Sequence, residues 1–350
     1  MKPLHNPQYI SFASDNYSGV LPEIMGALST ANGGHVGAYG NDPYTEKLQT
    51  LVREHFGDKA QAFPVFNGTG ANVLALQACL PRWGAVICAD TAHVHHDEST
   101  APQAVGGFKL WPVASLGGKL TPELIAREAY GYGFEHRAQP LAVSITQCTE
   151  LGTVYRPSEI QAIGEYCRER GMALHMDGAR LSNAAASLGV SLREITADVG
   201  VDIVSFGGTK NGLMFGECVI VLNPEKVSDG LPYLRKLNLQ LASKMRFVSA
   251  QFVALLSDGL WLRAAQHANA MAARLLRGLS AINGIEFVSP VEANGVFVRL
   301  PKGVAEKLHE QFVFYDWDNE GTVRLMCSFD TQESDVDALI AAAQKSVEAV

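Results

Sequence analysis

The feature that most constrains this chain is a repeated switch of hydrophobic period, from two to 3.6 and back. Thr45–Phe56 reads as a helix: Thr45 can cap it, Leu48, Leu51, Val52, His55 and Phe56 share a face, and Gly57 ends it. Ala62–Phe66 then reads as a strand, Ala71–Leu80 as a helix and Ala85–Ala89 as an apolar strand. Thr121-Pro122 opens another helix, with proline at the first helical position, where its missing N–H costs nothing. Leu141–Thr146 is a strand. Ser158-Glu159-Ile160-Gln161 has the form of a capping box, so Ser158–Arg170 is expected as a helix closed by Gly171. Ala173–Met176, Asp202–Phe206 and Cys218–Leu222 complete the run of strands. Such alternation predicts a mostly parallel sheet with helices on both faces, and ligands in such sheets sit at the carboxyl ends of strands.

The pattern changes after Leu231, where a helical stretch runs to Leu279. Strand-like pieces follow at Gly295–Leu300 and Thr322–Met326, then an amphipathic helix at Ser334–Val347. This predicts a second, smaller α/β unit beginning near Lys244, and 350 residues suffice for two units. The formal net charge of −8 argues against a nucleic-acid partner. No apolar run approaches the ~20 residues of a membrane span, and Met1–Phe12 lacks the apolar centre of a secretory signal. Six cysteines form no CxxC pair, which fits reduced thiols in a cytoplasmic protein.

Three features fall at expected strand ends. Asn67-Gly68-Thr69-Gly70-Ala71-Asn72 joins a strand to a helix, and its small residues let free N–H groups approach an anion. No GK[ST] follows, so it is not a P-loop. His175-Met176-Asp177-Gly178-Ala179-Arg180 places a carboxylate directly after an apolar strand, where it needs a positive or donating partner. A pyridinium nitrogen is one such partner, and a structural pairing with Arg180 is another. Ser205-Phe206-Gly207-Gly208-Thr209-Lys210-Asn211-Gly212 sets a lysine between two apolar strands, where desolvation or a nearby cation favours the nucleophilic amine.

With these three in this order, the chain resembles the threonine aldolase group of fold-type I pyridoxal 5'-phosphate (PLP) enzymes, the aspartate aminotransferase-like superfold. The resemblance covers nearly the whole length. It also includes Ser14-Asp15-Asn16, Tyr39-Gly40-Asn41-Asp42-Pro43, Ala92-His93 and Val323-Arg324-Leu325. It implies a PLP-binding large domain over residues 1–244, N-terminal arm included, and a small C-terminal domain over 245–350. Lys210 would hold the cofactor covalently and Asp177 its ring nitrogen. Gly68, Thr69, Thr209 and Arg246 would serve its phosphate, and His93 would stack on the ring. Ser14, Arg180 and Arg324 would hold the substrate carboxylate, with Arg180 also close to the cofactor. His136 would lie near the substrate hydroxyl, leaving His93 or His136 as proton acceptor. The implied reaction is retro-aldol cleavage of L-threonine, L-allo-threonine or a phenylserine-type substrate to glycine and an aldehyde. The polar loop Gly33–Tyr44 would reach a neighbouring subunit of a homodimer or homotetramer, with Tyr39 acting across the interface. Two departures stand out: Asn41 where an acidic residue is frequent, and Gly207-Gly208-Thr209 before the lysine.

Two other readings remain open at this point. Transamination, racemisation or β-elimination would use the same cofactor. A metal-dependent hydrolase would use His93, His95 and Asp97, which match an HxHxD opening, although Glu98 stands where a further histidine would be wanted.

Overall fold

A computed structural model describes residues 2–349. Seven strands form the main sheet: β1 (Gln61–Val65), β2 (Gly84–Ala89), β3 (Lys109–Val113), β4 (Gln139–Thr146), β5 (Ala173–Gly178), β6 (Ile203–Gly207) and β7 (Glu217–Val221). Their order is β1-β7-β6-β5-β4-β2-β3. The pairs from β6 through β3 are parallel, and β7 runs antiparallel to both neighbours. β2, β5, β6 and β7 are buried along their whole length, as strands covered on both faces must be.

Alternation along the central strands assigns the faces. Ile203, Val219 and Val221 pack with Ala71, Leu74, Ala75 and Ala78 of helix α3 (Gly68–Cys79), while Val204, Phe206, Cys218 and Ile220 point into the larger core on the other side. Helix α1 (Pro22–Ala31) and helix α2 (Pro43–Phe56) each pack on the helix Met245–Leu256 in that core. A second sheet, all antiparallel, has the order β10-β11-β9-β8 from β8 (Glu286–Phe287), β9 (Gly295–Arg299), β10 (Tyr315–Asp316) and β11 (Thr322–Met326). It packs against helices Leu260–Leu279 and Glu333–Glu348.

The cores cross the division expected at Lys244. Met245, Val248, Phe252 and Leu255 lie in the large core, and Phe12 of the N-terminal arm lies in the small one.

Several local expectations change. Asp42, not Thr45, caps α2, its carboxylate accepting from Thr45 N at 2.9 Å. Such a cap contributes about 1 kcal/mol. The helix expected at Ser158 begins at Pro157, and Glu159 reaches back to Arg156 N at 2.6 Å. The strand Lys109–Val113 escapes the sequence pattern because Pro112 interrupts it, and the structure places it at the sheet edge, where a missing N–H is tolerated. No helix among the described residues is long and apolar enough to cross a membrane.

Candidate active site

The carboxyl ends of β1, β5 and β6 lie together, and the residues that follow them line one cavity of about 340 Å³. Its walls include Asn67, Gly68, Thr69, His93, Asp177, Thr209, Lys210 and Glu217. Three groups read separately from the sequence thus meet in one place. α3 begins at Gly68, earlier than expected, and Asn67 caps it by accepting from Gly70 N at 2.8 Å. The turn therefore presents its first helical residues, Gly68 and Thr69, to the cavity.

Asp177 is the penultimate residue of β5 and is 5% exposed. Its Oδ1 accepts from Ala179 N at 3.0 Å and its Oδ2 from Asn72 Nδ2 at 2.8 Å. Arg180 is not its partner. Asn72 Nδ2 also reaches Glu98 Oε1 at 2.7 Å, and that oxygen lies 3.0 Å from His93 Nδ1. The hydrogen bond to Glu98 raises the His93 pKa against the opposing effect of burial. A polar chain therefore runs Asp177–Asn72–Glu98–His93. Next to it, His175 is wholly buried between Ser144 Oγ and Ser205 Oγ, at 2.9 and 3.0 Å, and burial pushes its pKa down to about 4. It is a neutral structural group at working pH.

Lys210 follows β6 in a short 3-10 turn and is partly exposed to the cavity. Removal from water, then the charge of Arg180, lowers its pKa. Glycine is required in the approach to it. A Cβ on Gly207 would collide with the Ala179 carbonyl, and one on Gly208 would come within 2.6 Å of the Gly216 carbonyl oxygen.

Arg180 spends its fork within the chain. Nε and Nη2 bind Asp15 Oδ2 and Oδ1 at 2.7 and 2.8 Å. Burial would raise the Asp15 pKa, but the guanidinium outweighs it and holds the carboxyl below its usual range. Arg324 is different. Its Nη2 donates to the Ala13 carbonyl at 3.0 Å, its Nε is buried without a partner, and Tyr315 and Trp317 flank it. Burial, then Arg180, pushes its pKa down to about 10, so it remains a cation without a carboxylate of its own. Ser14 caps the short turn Asp15–Tyr17 and lines a separate groove beside the N-terminal arm.

Ser14, Arg180 and Arg324 are not among the residues that line the cavity, and three more expected residues also lie outside it. His136 is exposed beside Phe134 and lines another cavity with Lys109 and Trp111, at the amino ends of β3 and β4. The eight residues of β4 separate that end from the site by roughly 25 Å, so His136 is removed from this chain's cavity by its position before β4 rather than after it. Tyr39 lies on the exposed loop, 51% accessible, under Lys236. Arg246 donates to the Gly34 carbonyl at 3.2 Å. For the HxHxD reading, His93 is committed to Glu98, and among the described residues no three His, Cys, Asp or Glu side chains are placed to hold a metal.

The sequence reading missed Asp15, Asn72, Glu98, Glu150 and Glu217 as individual contributors. Glu150 follows β4, accepts from His93 N at 2.7 Å, and burial pushes its pKa up to about 7. A carboxylate within four residues of Thr146, the carboxyl end of β4, was the available signal.

A doubly covered sheet with a strand-end lysine facing a strand-end aspartate defines the fold-type I class of PLP enzymes. The model of the beta-eliminating lyase family matches residues 11–302. Low specificity L-threonine aldolases of a Pseudomonas species and of Pseudomonas aeruginosa are each 46% identical, over 94% and 91% of this chain and 96% and 93% of theirs. A structure of Leishmania major threonine aldolase superimposes with a TM-score of 0.91 at 30% identity, covering 97% of this chain and 99% of that one. A structure described as a putative L-allo-threonine aldolase from Listeria monocytogenes, 18% identical with a TM-score of 0.71 and 96% of each chain covered, shares the fold. The chain belongs to the beta-eliminating lyase family, within its threonine aldolase group.

Proposed function

We propose that this chain is a PLP-dependent aldolase that cleaves L-threonine, L-allo-threonine and related β-hydroxy-α-amino acids to glycine and an aldehyde. The observation that carries the reading is that Lys210, Asp177 and the Gly68–Thr69 turn line one cavity. An amine, a buried carboxylate and helix-start N–H groups are the donor set that an aldehyde, a pyridinium and a phosphate require. The bound cofactor supplies an electron sink for the Cα–Cβ bond.

The chain's own groups do the rest. Asp177, fixed by Ala179 and Asn72, holds the proton on the ring nitrogen. Arg324, with its unpaired Nε, takes the substrate carboxylate and so sets which bond at Cα is cleaved. Arg180 orders the N-terminal arm through Asp15. His93, turned by Glu98, accepts the β-hydroxyl proton on its other ring nitrogen, Nε2.

Tyr39 is exposed and Arg246 half-buried, both outside the cavity, which supports their acting on a neighbouring subunit's site in a homodimer or homotetramer. All six cysteines are unpaired, which supports a cytoplasmic setting.

The test is threonine turnover with and without an added keto acid, beside absorbance spectra of the wild type and Lys210→Ala. Aldehyde and glycine should form without the keto acid, and the cofactor band near the visible should vanish in the variant. Strict dependence on the keto acid would make the enzyme a transaminase. A protein that stays colourless with added PLP would end the cofactor reading.

A further inference from the structure

Two carboxylates line the cavity, and while Asp177 suits a ring nitrogen, Glu217 suits neither that nitrogen nor a phosphate. It opens β7, pairs in register with Gly207 of β6 and with Val65 of β1, and is 8% exposed. The strand order therefore sets its carboxyl between the turn that starts α3 and the turn that carries Lys210. Its Oε2 accepts the Gly208 N–H at 2.6 Å, so that N–H is not free for an anion. Two anions cannot share so dry a space without one taking up a proton.

We propose that Glu217 is a positioning residue of the cofactor cavity: it fixes the Gly208–Lys210 turn by accepting the Gly208 N–H, and it takes up a proton when a phosphate binds. This rests on the PLP reading. Binding the dianion is then coupled to protonation of the carboxyl, written as protein-COO⁻ + H⁺ + dianion → protein-COOH·dianion. Cofactor affinity falls as pH rises through the pKa of Glu217 in the empty cavity.

The charges around the carboxyl agree with this direction. Burial pushes the Glu217 pKa up to about 7, against the Gly208 N–H, Thr209 and Lys210, which lower it, while Asp177 raises it. The β1 residue paired with it is Val65, and the neighbouring cavity residues Phe66, Asn67 and Thr69 are uncharged. From the helix Met245–Leu256, the uncharged Val248 and Phe252 pack against Gly216. Arg235 approaches β1 one residue further along, at the Pro64 carbonyl. A phosphate dianion placed beside Glu217 would raise its pKa further. The sign follows: affinity is steady below about pH 7 and weakens by about tenfold per pH unit above it, until the pKa of the bound state is reached.

The probe is pyridoxine 5'-phosphate, which carries the ring and phosphate but no aldehyde, so Lys210 forms no bond to it. Its dissociation constant is measured by calorimetry from pH 7 to 9 on wild type and on Glu217→Gln, which keeps an acceptor for Gly208 N–H but cannot ionise. We expect the wild-type constant to rise about tenfold more than the variant's between pH 7.5 and 8.5, with Glu217→Gln the tighter binder at the upper end. Parallel profiles, or weaker binding by the variant throughout, would overturn the proposal. On wild type alone, calorimetry at pH 8 in two buffers of different ionisation enthalpy should show uptake approaching one proton per site, and no uptake would overturn it equally. Failure of both proteins to bind the probe and PLP at every pH would instead remove the cofactor reading and this inference with it.

Discussion

Asp202 precedes β6 at the amino end of the sheet, and Asp177 is the penultimate residue of β5 at the carboxyl end. Both are buried. Asp202 uses one oxygen on Leu174 N at 2.8 Å and the other on Asn223 Nδ2 at 2.7 Å, while its carbonyl takes Leu222 N and Asn223 N. Those partners tie three strands and a loop together. Asp177 accepts from Ala179 N and from Asn72, and it lines a cavity shared with an amine. Beyond Asn72 the chain of polar groups carries Asn72 Oδ1 and Glu98 Oε2 buried without partners. The difference teaches how a site is told from a structural pairing within one sheet. At the amino end polar groups close the fold. At the carboxyl end they are held by side chains whose remaining capacity is unspent.

The largest effect should come from the carboxyl end. Asp177→Asn should leave the fold intact and lower kcat by about a thousandfold, since it removes a fixed charge from the reacting centre. A loss below tenfold would make Asp177 another Asp202. Arg324→Ala should raise KM for threonine by about ten- to a hundredfold, as a charge-assisted hydrogen bond contributes ~1.5–3 kcal/mol. An unchanged KM would leave the unpaired Nε without a role. Asp202→Ala should give the converse: stability to urea lowered by about 2 kcal/mol through orphaned donors, with turnover per folded molecule unchanged.

Glu98→Gln should shift a pH profile. Because Glu98 raises the His93 pKa, and His93 accepts a proton only when neutral, losing the carboxylate moves the acid limb of kcat/KM to lower pH. A limb that stays in place would remove His93 as the acceptor. The smallest effect is expected for His136→Ala, within about twofold in activity, as for most surface changes. A large loss would mean that a second subunit brings His136 to a site from outside this chain.

Much of this architecture was legible in local pattern. The two periods account for the strand–helix alternation, and an amine and a carboxylate at strand ends mark Lys210 and Asp177 by local pattern alone. The expectations that changed were those decided at a distance. Asp42 displaced Thr45 as a cap because proline at Pro43 starts the helix earlier. His136 is close to β4 in sequence but precedes that strand, so the fold of this chain sets it at the far end of β4, whereas Glu150, which follows β4, meets the His93 N–H. The pairing of Arg180 with Asp15 is likewise out of reach of local pattern, since the two lie 165 residues apart.

The sequence by itself determined the class of fold and marked the strand-end amine and carboxylate that the fold brings into one cavity, because hydrophobic period and strand-end position are properties of neighbouring residues. The tertiary structure decided which charges meet. Val65, Glu217, Gly207 and Asp177 come from four stretches of chain, and they adjoin only because the strands order as β1-β7-β6-β5. That order is a matter of which strands pair across long stretches of chain, and no local pattern encodes it.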